Sequence, residues 1–461
     1  MFEDLLSYCH KALSICEAEG AIEAEVFALA RSSTSFSFST VGGESSFEAS
    51  STTRLGIAIR TFKEGKMGFS YTTDLSDEAL REAARSSLKA SMDLPSFKGF
   101  PSPGKAHKLS LFDREVVELS EEECLERLRY LMDHAASGRK GLSIPSAWFG
   151  KSIVRFGVVN SSGLEAEDVG TFVGASLAVR AEGAPAPISS SRVRRKLSDL
   201  DLEGLAEECA SLSLLMSEAE EVEPGNYDLV LSPAVVAELV AYAFVGSLRA
   251  DNVRLGTSVL KDKLGEEIAS PVLSVWDDPF HELGLCSFGI DDEGVPARAK
   301  ALVEKGALKS FIYDSIEASV QGVEPTGNCV RWEPPLMDPF YPRDYRFRPS
   351  IYPMNLVLRP GQKTLEELLS ELGDGIYAYR SLSGFGMRPS GEFSLYVPSG
   401  FLVEEGEVKR GLKGFSLRGN VFDLLKKVED LSSVQEPLLP FMAGFCVIMP
   451  HVLVRSVEIS T

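Results

Sequence analysis

The stretch "SEAEEVEPGNYDLVLS", Ser217 to Ser232, limits the possible folds more than any other part of the chain. Four acids, Glu218, Glu220, Glu221 and Glu223, lead into Pro224-Gly225, and an apolar run follows. A charged, solvated run closed by Pro-Gly marks the end of one folded unit and the start of another. The chain has 461 residues, which is more than one compact core holds. The sequence therefore predicts an N-terminal α+β domain over residues 1–221, in two halves joined near 95–108, and a strand-rich domain over 222–461. The predicted class is α+β, with N-terminal helices packed on an antiparallel sheet and a C-terminal mixed, barrel-like sheet.

Local patterns fill in the first domain. Phe2, Leu5, Leu6, Cys9, Leu13 and Cys16 recur at helical spacing. "AEVFALA" and "SFSFST" read as two strands, the second strictly alternating. "RLGIAIRTFKEGKMGFSYTT" reads as a hairpin turning at Gly65. Ser76 caps a predicted helix, and Ser120 with Glu123 forms a capping box for another. "NSSG", Asn160 to Gly163, reads as a turn, and a helix is expected at about Leu202–Met216. In the second domain, short strands alternate with turns. "SPAVVAELVAYAFVGSLRADNVRLGTS", Ser232 to Ser258, reads as one helix, with Ser232 as cap and Pro233 in its first turn. Arg331 to Pro353 is long, irregular and rich in aromatics and arginines, which suits ordered packing at an interface.

Charge and cysteine content exclude several functions. A net charge of −20 repels a phosphate backbone, so no nucleic-acid partner is expected. "SRVRRK", Ser191 to Lys196, is the local exception and reads as a solvated face. The seven cysteines are scattered without a C-x-x-C pair, which points to buried thiols in a reducing compartment. The N-terminus lacks a signal-like pattern, and no apolar run reaches the ~18 residues of a membrane span. A cytoplasmic protein with no membrane partner is expected.

A search for catalytic groups returns little. His281, with Glu282 and Cys286 nearby, is the nearest approach to a metal pair and reads as a surface loop. Ser86 with Lys89 and Ser258 with Lys261 match S-x-x-K at chance level. "GFGMRPSG", Gly384 to Gly391, lacks the ending of a phosphate loop. "DDEGVPARA", Asp291 to Ala299, reads as an exposed turn, since its consecutive acids do not follow the spacing of a calcium loop.

Seven ordered stretches nevertheless resemble one family: "PGNYDLVLSP", "LGTSVLKDKLGEEIASPVLSVWDDP", "FGIDDEGVPARAKALVEKGALKSFIYDS", "PTGNCV", "PMNLVLRPG", "GEFSLYVPSGFLVEEGEV" and "GFSLRGNVFDLL". They occur in the order found in the TldD/PmbA family, whose members also carry the name of DNA gyrase modulators. The resemblance implies a cytoplasmic peptide-cleaving complex. Its TldD-type subunit holds zinc through an H-E-x-x-x-H helix and a C-terminal cysteine; its PmbA-type (TldE-type) subunit lacks that helix motif. Counting back from Gly256-Thr257-Ser258, the positions of the first histidine, the glutamate and the second histidine hold Ala241, Tyr242 and Gly246. Cys446 matches the family cysteine. The resemblance thus implies a PmbA/TldE-like subunit with no catalytic or metal residue of its own and no cofactor. Zinc is expected only in a TldD-type partner. That partner would form a heterodimer with this chain, the alternative being a homodimer, and the substrate would be a peptide. Two other readings stay open: an active metallopeptidase using His281, Cys286 or Cys446, and a regulatory binding protein acting on DNA gyrase or another partner.

Overall fold

The computed structural model describes residues 5–89, 91–94, 97–105, 107–332, 340, 343–383, 389–440 and 443–460. Its first sheet is antiparallel throughout and has seven strands. In spatial order they are Ser91–Asp93, Lys66–Thr72, Glu44–Lys63, Glu23–Val41, Leu142–Asn160, Glu165–Ala181 and Ile188–Arg194. The predicted pair "AEVFALA" and "SFSFST" forms one continuous strand of 19 residues. The change of pattern along it has a physical cause. Near the Glu23 end both faces are covered, so Val26 to Ala30 are apolar without interruption; further along the cover thins and alternation takes over.

That strand separates two layers. Ala24, Val26, Ala28 and Ala30 face helices Leu5–Ala18 and Asp77–Lys89 in one core cluster. Phe36 and Phe38, of the same parity, pack against a cluster built partly from helices Glu121–Ala136 and Leu202–Leu215. Phe27 and Leu29 point the other way, onto Leu285, Cys286, Phe288 and Ile448 from the second half of the chain. A period of two thus sends alternate side chains of one strand into different cores. Local signals place the remaining pieces. Glu64 and Gly65 take positive φ in the hairpin turn, as the twist of a tight β-hairpin requires. The Ser120–Glu123 capping box is formed in both directions.

The second sheet has eleven strands, and part of it closes on itself. Gly225–Leu231 pairs in parallel with Gly375–Ser383. The ring continues through Glu392–Glu404, Phe415–Asn420 and Cys446–Ser460, and returns to Gly225–Leu231. This closed ring is the barrel-like part of the sheet. Closure removes exposed strand edges. The sheet extends beyond the ring through Asn355–Leu358, parallel to the start of Cys446–Ser460, and then through Val275–Asp277. Among the described residues no helix is long and apolar enough to cross a membrane.

Candidate functional site

The segment from Ser232 starts as its sequence predicts. The Ser232 hydroxyl accepts the Val235 N–H at 3.3 Å and donates to the Tyr379 carbonyl at 2.6 Å, with Pro233 in the first turn. The single helix expected as far as Ser258 does not form. Pro233–Leu239 is α-helical, Val240–Phe244 widens into a π turn, and Val245–Leu248 is α again. Arg249 is then extended, at φ −72° and ψ 125°, and a separate helix runs over Ala250–Leu255. Gly256 ends it in the left-handed region, at φ 74°. Asn252 helps hold the bend by donating Nδ2 to the Gly246 carbonyl at 2.7 Å.

Ala241, Tyr242 and Gly246 lie in or beside the π turn, and all three are buried. Ala241 and Tyr242 belong to the main core of the second half, where neighbouring Phe244 packs against Phe422 with the rings tilted and their centroids 5.9 Å apart. Neither Ala nor Gly offers a ligand atom, and a phenol is a poor general base near neutral pH. Cys446 sits elsewhere, in the cluster between the two sheets, beside Cys286. Burial pushes both thiols up, so neither is a ready thiolate. Among the described residues no group of three His, Cys, Asp or Glu side chains is placed to hold a metal ion. The residues present at 241, 242 and 246 do not fit the zinc of a TldD-type helix.

His281 lines a polar hollow of about 520 Å³ with Arg194, Lys196 and Glu282. Its Nδ1 accepts the Leu283 N–H at 3.2 Å, and burial holds its imidazole below the usual range. Cys286, expected on a surface loop, is fully buried, and its N–H donates to Asn355 Oδ1 at 3.0 Å. Ser86 and Lys89 are both exposed on a helix, while the Ser258 hydroxyl donates to the Ser247 carbonyl at 2.7 Å. Residues 384–388 of the glycine-rich stretch lie outside the described residues.

Two sequence readings are overturned. Asp291, Asp292 and Glu293 are not an exposed turn; all three are fully buried. The Asp291 carboxylate accepts the N–H groups of Glu293, Val295 and Cys329. Asp292 accepts the Arg331 N–H at 2.6 Å, and Glu293 pairs with Arg60 at 2.8 Å. Burial pushes Asp291 well above the usual carboxylate range, with Glu293 adding to the effect. Burial acts on Glu293 in the same sense, but the Arg60 charge and the hydrogen bonds from Ser315 together outweigh it, and the net shift is downward. "SRVRRK" is not a solvated face either. Arg195 is buried, donates to the carbonyls of Gly284, Leu285 and Ser287, and lies over the Phe172 ring at 4.6 Å. Arg194 pairs with Glu436 at 2.8 Å. The long irregular stretch does pack at an interface. Its Arg331 and Arg343 are fully buried between the two halves of the chain, while residues 333–339 and 341–342 lie outside the described residues.

Comparison with known proteins agrees with this architecture. The PmbA/TldA metallopeptidase C-terminal domain profile matches residues 224–461, the central domain 114–216 and domain 1 residues 24–91. The crystal structure of TldE from Thermococcus kodakarensis superposes with a TM-score of 0.88 at 26% identity, covering 98% of this chain and 100% of that one. A Thermotoga maritima protein solved as a candidate modulator of a DNA gyrase gives 0.83 at 26% identity, over 99% and 100% of the two chains. An uncharacterized protein of Methanocaldococcus jannaschii is 25% identical over 387 residues, 83% of this chain and 85% of its own. With more than half of its length matched by a single family profile and its whole fold shared with family structures, the chain belongs to the PmbA/TldD family of metallopeptidase-like proteins.

Proposed function

We propose that this chain is a PmbA/TldE-type subunit that does not cleave peptides by itself and acts beside a zinc-bearing TldD-type metallopeptidase. The observation that carries the reading is the chemistry of one helical segment. Where a zinc helix needs two imidazoles and a carboxylate, this chain has Ala241, Gly246 and Tyr242, packed as core. The likeness to a TldE crystal structure over nearly the whole chain supports the same assignment. In this role the segment stabilises the second domain, and the domain's surface contributes to a peptide-handling complex. The expected assembly is a heterodimer in the cytoplasm.

The test is metal content and peptidase activity of the purified chain, alone and mixed with a TldD-type protein from the same cell. The expected result is neither bound zinc nor cleavage alone, with activity or altered cleavage in the mixture. Stoichiometric zinc with cleavage by the isolated chain would overturn the proposal. A stable homodimer with no effect on the TldD-type protein would overturn the partnership.

A further inference from the structure

A cavity of about 500 Å³ opens between the two halves of the chain, apart from the 241–246 segment. One wall is the strand Ile188–Arg194 at Ser190, Ser191 and Arg192. This strand is the last of its sheet and, among the described residues, pairs only with Glu165–Ala181, so its outer edge has no strand partner there. Facing it are Val434, Glu436 and Leu438, spaced two apart on the strand Val428–Leu438. Leu365, Leu369 and Val408 add apolar surface, and Tyr377, Tyr379 and His451 add polar tips.

The charges of this cavity do not balance. Each lining acid already has a cation: Glu207 pairs with Arg139, Glu208 with Arg192, and Glu436 with Arg194. Arg380 also lines the cavity, yet its side chain makes no hydrogen bond or ion pair among the described residues. Its position is set by a bulge. Ala378 pairs with Gly400 and Arg380 with Ser399, so Tyr379 is an extra residue. Strict alternation would put Arg380 on the face opposite Tyr377 and Tyr379; the bulge re-aims it to their side. His451 supplies a second open group. Its Nε2 lies 3.2 Å from the Tyr377 hydroxyl, and its Nδ1 is buried without a partner among the described residues.

We propose that this cavity binds the C-terminal end of an extended apolar peptide, with the peptide carboxylate on the Arg380 guanidinium. The main chain would add to the free edge at Ser190–Arg192, and the terminal apolar side chain would rest on Leu365, Leu369 and Val408. Such pockets combine apolar walls with a few fixed polar groups. In a chain of net charge −20, a carboxylate needs a local cation that is not already spent, and among the described residues Arg380 is one. The site is separate from any zinc chemistry and does not rest on the partner reading.

Calorimetric titration with N-acetyl-Ala-Leu-Leu tests this. The free acid should bind saturably, and the C-terminal amide about tenfold more weakly, as expected for loss of a charge-assisted hydrogen bond. Arg380→Gln should bring the acid down to the level of the amide and leave the amide unchanged, while Arg380→Lys should restore part of the loss. Val408→Trp, which fills the cavity, should weaken both peptides. Circular dichroism and Tm establish that each variant is folded. Equal binding of acid and amide, or no effect of Arg380→Gln, would overturn the proposal. Binding of decanoate without binding of the peptide would also overturn it, because the free strand edge would then have no role.

Discussion

Arg331 donates Nη2 to Glu25 Oε1 at 2.6 Å, across 306 residues of sequence, with both side chains fully buried. Glu25 also accepts Nε of Arg60 at 2.9 Å, and Arg60 in turn reaches Glu293. One carboxylate from the first strand of the N-terminal sheet therefore holds two guanidiniums, one from its neighbouring strand and one from the second half of the chain. Arg331 also lies over the Phe27 ring at 4.8 Å.

Replacing Glu25 should be costly. Glu25→Ala leaves Arg60 and Arg331 buried without their shared counter-charge, and breaking a buried pair by removing one partner costs about 3–5 kcal/mol. Asp77→Asn, which removes the exposed partner of Lys11, should cost far less, because water and salt screen an exposed pair. Denaturant titration of both variants measures the difference. Equal, small losses would mean that the network does not tie the two halves together.

Features decided within a few residues were legible in the sequence. The capping box at Ser120, the hairpin turn at Gly65 and the turn at Asn160 each follow from local hydrogen bonding and φ preference. The acids 291–293 were not legible, because their partners Arg60 and Arg331 are distant in sequence and a run of three acids is usually solvated. A signal did exist: the arginine-rich stretch after Arg331 needs counter-charges if it packs at an interface. Arg195 was hidden for a similar reason, since its acceptors are main-chain carbonyls that no side-chain pattern announces. The cavity around Arg380 depends on a bulge and on the meeting of two sheets, and neither is written in strand periodicity.

His451 should make stability depend on pH. Burial lowers its pKa to about 4, from an ordinary value near 6.5. As pH falls below about 6.5 the unfolded chain takes up a proton that the folded chain refuses until about 4, so the contribution of this group is lost across that window, at most about 3 kcal/mol. Asp314 acts in the opposite sense. Burial, aided by Glu293, raises its pKa to about 7, so its contribution is present at low pH and is lost as pH rises from the ordinary carboxylate range towards 7. The informative quantity is therefore the difference between wild type and His451→Gln. Between pH 6.5 and 4 the variant should lose less stability than the wild type. Parallel curves would show that His451 titrates normally in the fold.

Restoring the zinc residues should fail. Ala241→His, Tyr242→Glu and Gly246→His together force imidazoles and a carboxylate into a filled core; overpacking at 241 and 246 costs about 1–3 kcal/mol each, and the carboxylate at 242 would be buried without a counter-charge. Cys446 packs in a different cluster, beside Cys286. The triple variant should show a lower Tm and no stoichiometric zinc by elemental analysis. Stoichiometric zinc with an unchanged Tm would mean that the segment retains a metal-site geometry.

The cysteines offer the sharpest test of an unrecognised thiol-based site. All seven are free and buried. Burial pushes Cys9, Cys16 and Cys209 up to about 12 and Cys124 to about 11, and it raises Cys286, Cys329 and Cys446 as well. The thiolate is the reactive form, so neither chemistry nor access favours reaction in the native state. Native protein treated with an aromatic disulfide reagent at about pH 8, close to the pKa of an exposed thiol, should release almost no chromophore. Denatured protein should release seven equivalents. One fast equivalent in the native state, lost in Cys446→Ser, would identify an accessible thiolate at that position. It would then make Cys446 a candidate metal ligand or nucleophile and reopen the reading of this chain as a catalyst in its own right.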